Sequence, residues 1–267
     1  VHGLFSGHSR INEWAGRWAA AWFPTGLAVQ REFHRTHHRN NRSTAERFDV
    51  LEEGDLKWLK RAQWYSILSG LYWWIAVAGV LIYAATPNSL RTRLLRAAGE
   101  KATRQTSANH YLGALGALDP FKARAEIAAS LAFQLTLFWV LDLSLAGWAL
   151  CYAAFAFNWS SLQYTDHAFS PLDDRTGAWN LRVHPVVRAL FLNYHFHLAH
   201  HQHPDIPWLH LGSTASAGPR FIDVWREAWR GPRELHRFPS FAVEPIASKH
   251  SWPWPRGRDA KVALALS

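Results

Sequence analysis

One histidine spacing occurs twice in this chain: H-x-x-H-H at His34-Arg35-Thr36-His37-His38 and again at His197-Leu198-Ala199-His200-His201. On a helix, residues three and four apart share a face, so each copy predicts three imidazoles aimed at one point. That is a metal-binding geometry. A surface accident explains one such triplet but poorly explains two in the same orientation. The fold must therefore bring two distant segments together.

The 267 residues show no composition break and are read as one large domain. Apolar residues make up 49% of the chain, yet the mean hydropathy is only -0.18, so one part is immersed and another is wet. Residues 64–85, WYSILSGLYWWIAVAGVLIYAA, carry no charge and are long enough to span about 30 Å of hydrocarbon. Residues 87–126 form a polar connector with seven Lys/Arg, and 127–157 are apolar around Asp142. Many of the 16 tryptophans, such as Trp58, Trp64 and Trp159, lie near the ends of apolar runs, where indole favours the headgroup region. If both histidine copies share one site, the chain crosses a bilayer an even number of times between them. One layout crosses once at each apolar run and strands the basic connector on the far side. The other folds 127–157 as a helical hairpin turning at Asp142-Leu143-Ser144, with 64–85 dipping in and returning. The second keeps every basic segment on one side and puts Asp142 at a turn, where a carboxylate is cheap. A buried helix pair of a soluble protein is the remaining reading for arms this short.

The net charge of +9 fits an anionic membrane face and an acidic electron donor. It comes with no nucleic-acid motif, so nucleic acid is not an expected partner. The one cysteine, Cys151, lies in an apolar run, which predicts a buried small side chain and no disulfide or thiolate site. The chain opens at Val1, contains no Met and shows no signal-peptide pattern, as a segment of something longer would.

Ligand type narrows the metal. Structural zinc wants four ligands and often thiolates, whereas eight or more neutral imidazoles fit two ions better than one. Imidazole suits iron, copper and zinc alike, but activating dioxygen beside lipid needs electrons that zinc cannot supply. Haem is disfavoured because neither apolar run holds an axial histidine. His2 and His167 are further ligand candidates, and Asp166, Asp205 and Glu32 could orient imidazoles from behind.

The most specific stretch is Asn193-Tyr194-His195-Phe196-His197-Leu198-Ala199-His200-His201-Gln202-His203-Pro204-Asp205-Ile206-Pro207-Trp208. With the opening His2, Gly3, Arg10 and Asn12, the first H-x-x-H-H and the apolar runs, it resembles the membrane fatty acid desaturase and hydroxylase superfamily. The resemblance covers roughly residues 1–235, including 225–233, similar to an interfacial helix; 236–267 would be a Pro/Trp/Arg-containing tail. It implies an all-α fold of integral membrane helices, with a cytoplasmic helical cap holding a histidine-rich non-haem di-iron site. The implied iron ligands are His2, His34, His37, His38, His167, His197, His200 and His201, with no catalytic residue beyond them. His2 matches the second histidine of the first box, whose partner would precede Val1. His195, His203, Asp166 and Asn193 are implied neighbours of the ligands, and His8 is surplus. The expected activity is O2-dependent desaturation of a fatty acyl or related lipid chain, with two Fe and dioxygen, in a bacterial inner membrane with the site facing the cytoplasm. An external electron donor is expected: ferredoxin, rubredoxin, or a b-type cytochrome with its reductase. The alternatives are a hydroxylase or ketolase of the same superfamily, a zinc-storing membrane protein and an inactive metal-binding remnant.

Overall fold

The elements follow from strong local signals. A computed structural model describes residues 2, 7–23, 25–93, 107–215 and 217–246. Ten helices are found among them: α1 (Ser9–Ala21), α2 (Gly26–Asn40), α3 (Lys57–Leu68), α4 (Leu71–Ala85), α5 (Ser107–Ala117), α6 (Pro120–Val140), α7 (Leu145–Thr165), α8 (Pro185–Leu190), α9 (His197–Gln202) and α10 (Phe221–Ala228). A two-residue antiparallel ladder joins Ala217–Gly218 to Glu244–Pro245. The protein is all-α in class.

The hairpin expected across 127–157 is present as α6 and α7, with both arms extended into flanking polar residues. Asp119 caps α6 by accepting from the Phe121 and Lys122 amides, and Pro120 occupies the first helical position, where it has no amide to leave unpaired. The turn sits at Asp142, whose φ of 47° lies in the left-handed region that aspartate tolerates. Ser144 then caps α7 by accepting from the Gly147 amide.

Residues 64–85 are not one helix. The chain breaks at Ser69-Gly70, and α3 and α4 meet at 87°. Gly70 has φ 83°, and a Cβ there would lie 2.5 Å from the Ala156 carbonyl carbon of α7. Only glycine fits this elbow. Among the described residues no single helix is long and apolar enough to cross a membrane; only the bent α3–α4 pair has the length and composition.

Two corrections concern single side chains. Trp64 is core, not headgroup-facing: it is 2% exposed and donates from Nε1 to the Ala228 carbonyl of α10. Cys151 is exposed on α7 rather than buried, because the apolar arm it belongs to turns part of its surface outward. The polar connector is described only outside 94–106.

Packing fixes the helix that carries the first H-x-x-H-H. α2 lies against α1, α5 and α6. Val29 on α2 joins Val80, Tyr83, Leu115, Ala123 and Ile127 in one buried cluster. Glu126 of α6 accepts from the Ala28 amide at 2.6 Å and from Arg17 at 3.3 Å, placing a carboxylate at the α2 N-terminus, where the helix dipole favours it. A second cluster, built on Trp64, Leu68, Phe169, Leu181 and Val224, ties α3 and α10 to the loop after α7. Phe238 and Phe241 pack on this same cluster. Helix α10 closes at Ala228, before the end of the 225–233 segment expected to be helical.

Candidate metal centre

All eight expected histidines converge, but not as two triplets. His2, His34, His38 and His200 form one group, and His37, His167, His197 and His201 form another, each with its ligand atoms within 4.8 Å of one another. The physical reason is helical. Positions i and i+4 stack on one line of the helix, while the residue between them in the motif is rotated aside. His34 and His38 therefore enter the first group together and His37 the second. In α9 the allocation is reversed: His197 and His201 serve the second group and His200 crosses to the first. One lone histidine completes each set. The groups adjoin, with the His38 and His201 ring centroids 4.4 Å apart.

In the first group, Nε2 atoms meet directly: His2 to His34 at 2.9 Å, His38 to His34 and to His200 at 3.1 Å, and His200 to His34 at 3.3 Å. Metal–nitrogen bonds of about 2.1 Å place neighbouring ligand nitrogens roughly 3.0 to 3.4 Å apart. In the second group, His201 and His197 Nε2 are 3.2 Å apart.

The outer ring nitrogens show which inner ones are free. His167 Nδ1 lies 2.8 Å from the Gly177 carbonyl, which only accepts, so Nδ1 carries the proton. His167 Nε2 is then a buried lone pair, and it has no partner. His37 Nδ1 is 2.6 Å from Glu46 Oε2, while Glu46 Oε1 accepts from the Tyr111 hydroxyl at 2.8 Å. Glu46 is 8% exposed. Burial holds His38 at about 3 and His200 at about 4, and it also lowers His2, His34, His167, His197 and His201 below the usual histidine range. Neutral imidazole is the form that ligates a metal. The orphaned Nε2, the nitrogen spacing and the all-imidazole donor set fit two transition-metal ions.

Other expected residues have varied placements. Asp166 is fully buried, both its oxygens lack partners, and Oδ2 lies 4.0 Å from His197 Nδ1. Burial raises its carboxyl above the usual carboxylate range and lowers His197 below the usual histidine range. A small shift would let the His197 N–H meet it, as in metal sites where a carboxylate backs a ligating histidine. Asn193 is elsewhere engaged, donating to the Trp208 carbonyl at 3.0 Å and accepting from Arg188 at 2.9 Å. His195 is buried with its ring against Phe196, outside both groups. His203 is exposed, as is His8 at the start of α1. Glu32 pairs with Arg35 and Arg39, and Asp205 is exposed.

Four residues just past the first H-x-x-H-H were missed. Glu46 backs His37, and Asn41 donates to the Asp174 and Gly177 carbonyls, the latter also receiving the His167 proton. Arg42 and Asp49 form a two-pronged buried pair at 2.6 and 3.0 Å. Arg42 also donates to the Ser170 carbonyl, and Asp49 accepts from the Phe169 amide. This lashes the segment after α2 to the loop that carries His167. The available signal was acidic residues, Glu46 and Asp49, in an otherwise basic stretch after the motif. Replacing Glu46 with Gln is expected to weaken metal binding about 10- to 100-fold, as is usual for partners behind a ligand; competition with a chelator measures it.

A cavity of about 580 Å³ opens onto His34, His37, His167 and His197, reaching both groups. Phe23, Leu27, Phe33, Ile67, Trp73 and Trp159 line much of it. Its size suits an extended small molecule.

The fold thus gathers eight imidazoles from four segments, His2, α2, the loop after α7 and α9, beside a largely apolar chamber. The family model for fatty acid desaturase matches residues 1–223, and the chain belongs to that family. Neither a curated protein nor a solved structure matches it.

Proposed function

We propose that this protein is a membrane-bound di-iron oxidase of unactivated C–H bonds in a fatty acyl or related lipid chain, acting as an O2-dependent desaturase. The observation that carries this reading is the pair of four-histidine groups facing one apolar cavity. Iron, when bound, supplies the electrons and open positions that activate dioxygen. His2, His34, His38 and His200 would hold one ion, and His37, His167, His197 and His201 the other. The chain's remaining contribution is placement. Glu46 and the Gly177 carbonyl fix the proton on Nδ1 of His37 and His167, leaving each Nε2 to ligate. Phe23, Leu27, Ile67 and Trp73 exclude water and hold a hydrocarbon against the centre.

Exposed apolar surface supports a membrane setting. Ile11, Trp14, Trp18 and Trp22 form a stripe along α1, and Trp139, Val140, Leu141 and Leu145 crown the hairpin tip, all exposed. Contiguous exposed apolar residues suit a membrane or interaction surface, and tryptophan favours the membrane interface. On this reading the site faces the cytoplasm at a bacterial inner membrane, with the excess of Lys and Arg supporting that side and an external donor such as ferredoxin, rubredoxin or a b-type cytochrome with its reductase. The proposed organisation is a desaturase-like domain over 1–235 with a C-terminal tail over 236–267.

Lipid profiling by mass spectrometry of cells expressing the full-length gene tests the reading. A new double bond in a lipid class is the expected result. A new alcohol or ketone would move the assignment to hydroxylase or ketolase, which uses the same ligands and differs in where the carbon sits. An unchanged lipidome from a protein loaded with iron would point to an inactive remnant.

A further inference from the structure

The cavity is not lined as a bare hydrocarbon would require. Gln163 is among the lining residues, and its Oε1 is buried with no hydrogen-bond partner among the described residues. Tyr72, Tyr164 and Tyr194 are also among the lining residues, and their hydroxyls make no hydrogen bond among the described residues. Tyr111 differs, since its hydroxyl is spent on Glu46. At least one of these groups adjoins the histidines. The Tyr194 ring lies 5.3 Å from that of His197, and Gln163 sits one helical turn before His167. A plain methylene chain drawn into this cavity would cover three hydroxyls and leave the Gln163 amide oxygen unpaired, a cost that rises steeply in a closed apolar site.

We propose that the substrate carries a hydroxyl or carbonyl oxygen at the metal end of the cavity, bonded by the Gln163 amide and the free tyrosine hydroxyls, so that oxidation falls near a carbon already bearing oxygen. The amide can present either its oxygen or its nitrogen, and a phenol both donates and accepts, so either oxygen function is satisfied. Gln163 is then a specificity residue of the lipid oxidase proposed above, on which this inference rests.

The test uses the purified, iron-loaded protein in detergent and quenching of its tryptophan fluorescence, since Trp73 and Trp159 line the cavity. The probes are palmitic acid and a positional series of monohydroxylated palmitic acids. At least one hydroxylated member should bind about 10- to 100-fold more tightly than the plain acid, the range expected when a buried polar group gains or lacks its partner. In Gln163→Leu that preference should shrink by roughly tenfold. Equal binding of the plain acid and every hydroxylated member by the unaltered protein would overturn the proposal, whether or not the variant folds. So would an undiminished preference in an iron-loaded variant. Iron content and oxygen consumption of the same preparation keep the two readings apart. Full iron with oxidation of the plain acid and no preference sinks only this inference, whereas iron that will not load sinks the oxidase.

Discussion

Replacing His37 with alanine should leave at most one ion bound where two are expected, and should abolish oxidation of lipid. His37 contributes to the second group while its helix neighbours His34 and His38 contribute to the first, so its loss strikes one position directly. It also strands Glu46, whose buried carboxylate loses the ring it orients. Iron analysis of the purified variant against the parent measures the effect, with membrane insertion expected to be unchanged. Retained iron and turnover would count heavily against these histidines as ligands. His236→Ala is the matched control: its side chain is 72% exposed and belongs to neither group, so iron and activity should hold. His250, the other tail histidine without an expected role, lies outside the described residues.

The second large effect is on stability. Asp49→Ala should destabilise the protein by about 3–5 kcal/mol, because it leaves the Arg42 guanidinium charged and buried without its partner. Those side chains are 1% and 2% exposed, so solvent cannot compensate. The Phe169 amide loses its acceptor at the same time. Thermal unfolding in detergent reads the loss as a lowered midpoint. The double replacement Arg42→Met with Asp49→Leu should recover part of it, since an apolar pair removes the stranded charge. A single variant as stable as the parent would show that the pair does not lash the two segments.

Different parts of this structure were legible in the sequence to different degrees. The two H-x-x-H-H motifs, His2 and His167 were visible because ligand chemistry demands particular residue types at helical spacing. The hairpin was visible because Asp142 interrupts an apolar run where a turn costs least. What spacing could not show was how each motif is shared between the two four-histidine groups, since a helix face specifies direction but not which of two neighbouring points it serves. Arg42, Asp49 and Glu46 were hidden for another reason: their meaning lies in partners more than sixty residues away, Ser170, Phe169 and Tyr111. The favoured layout had 64–85 turn back on itself, but unbroken hydrophobicity hid where the bend falls; its place at Gly70 is tied to the close approach of α7, which exists only in three dimensions. Trp64 and Cys151 exchanged their expected environments for a related reason, because an apolar run says that a side chain avoids water without saying which nonpolar neighbour receives it.

The crossed sharing of histidines has a mechanical side. His38 and His200 are separated by 162 positions in the chain yet touch. Each bound ion would therefore act as a rivet through both ends of the polypeptide, closing a very long loop whose ends are otherwise costly to keep together. Neither rivet can be drawn without loosening the plate that holds the other, so chelation should release the two ions as a cooperative pair and free the α9 segment from α2 in the same event.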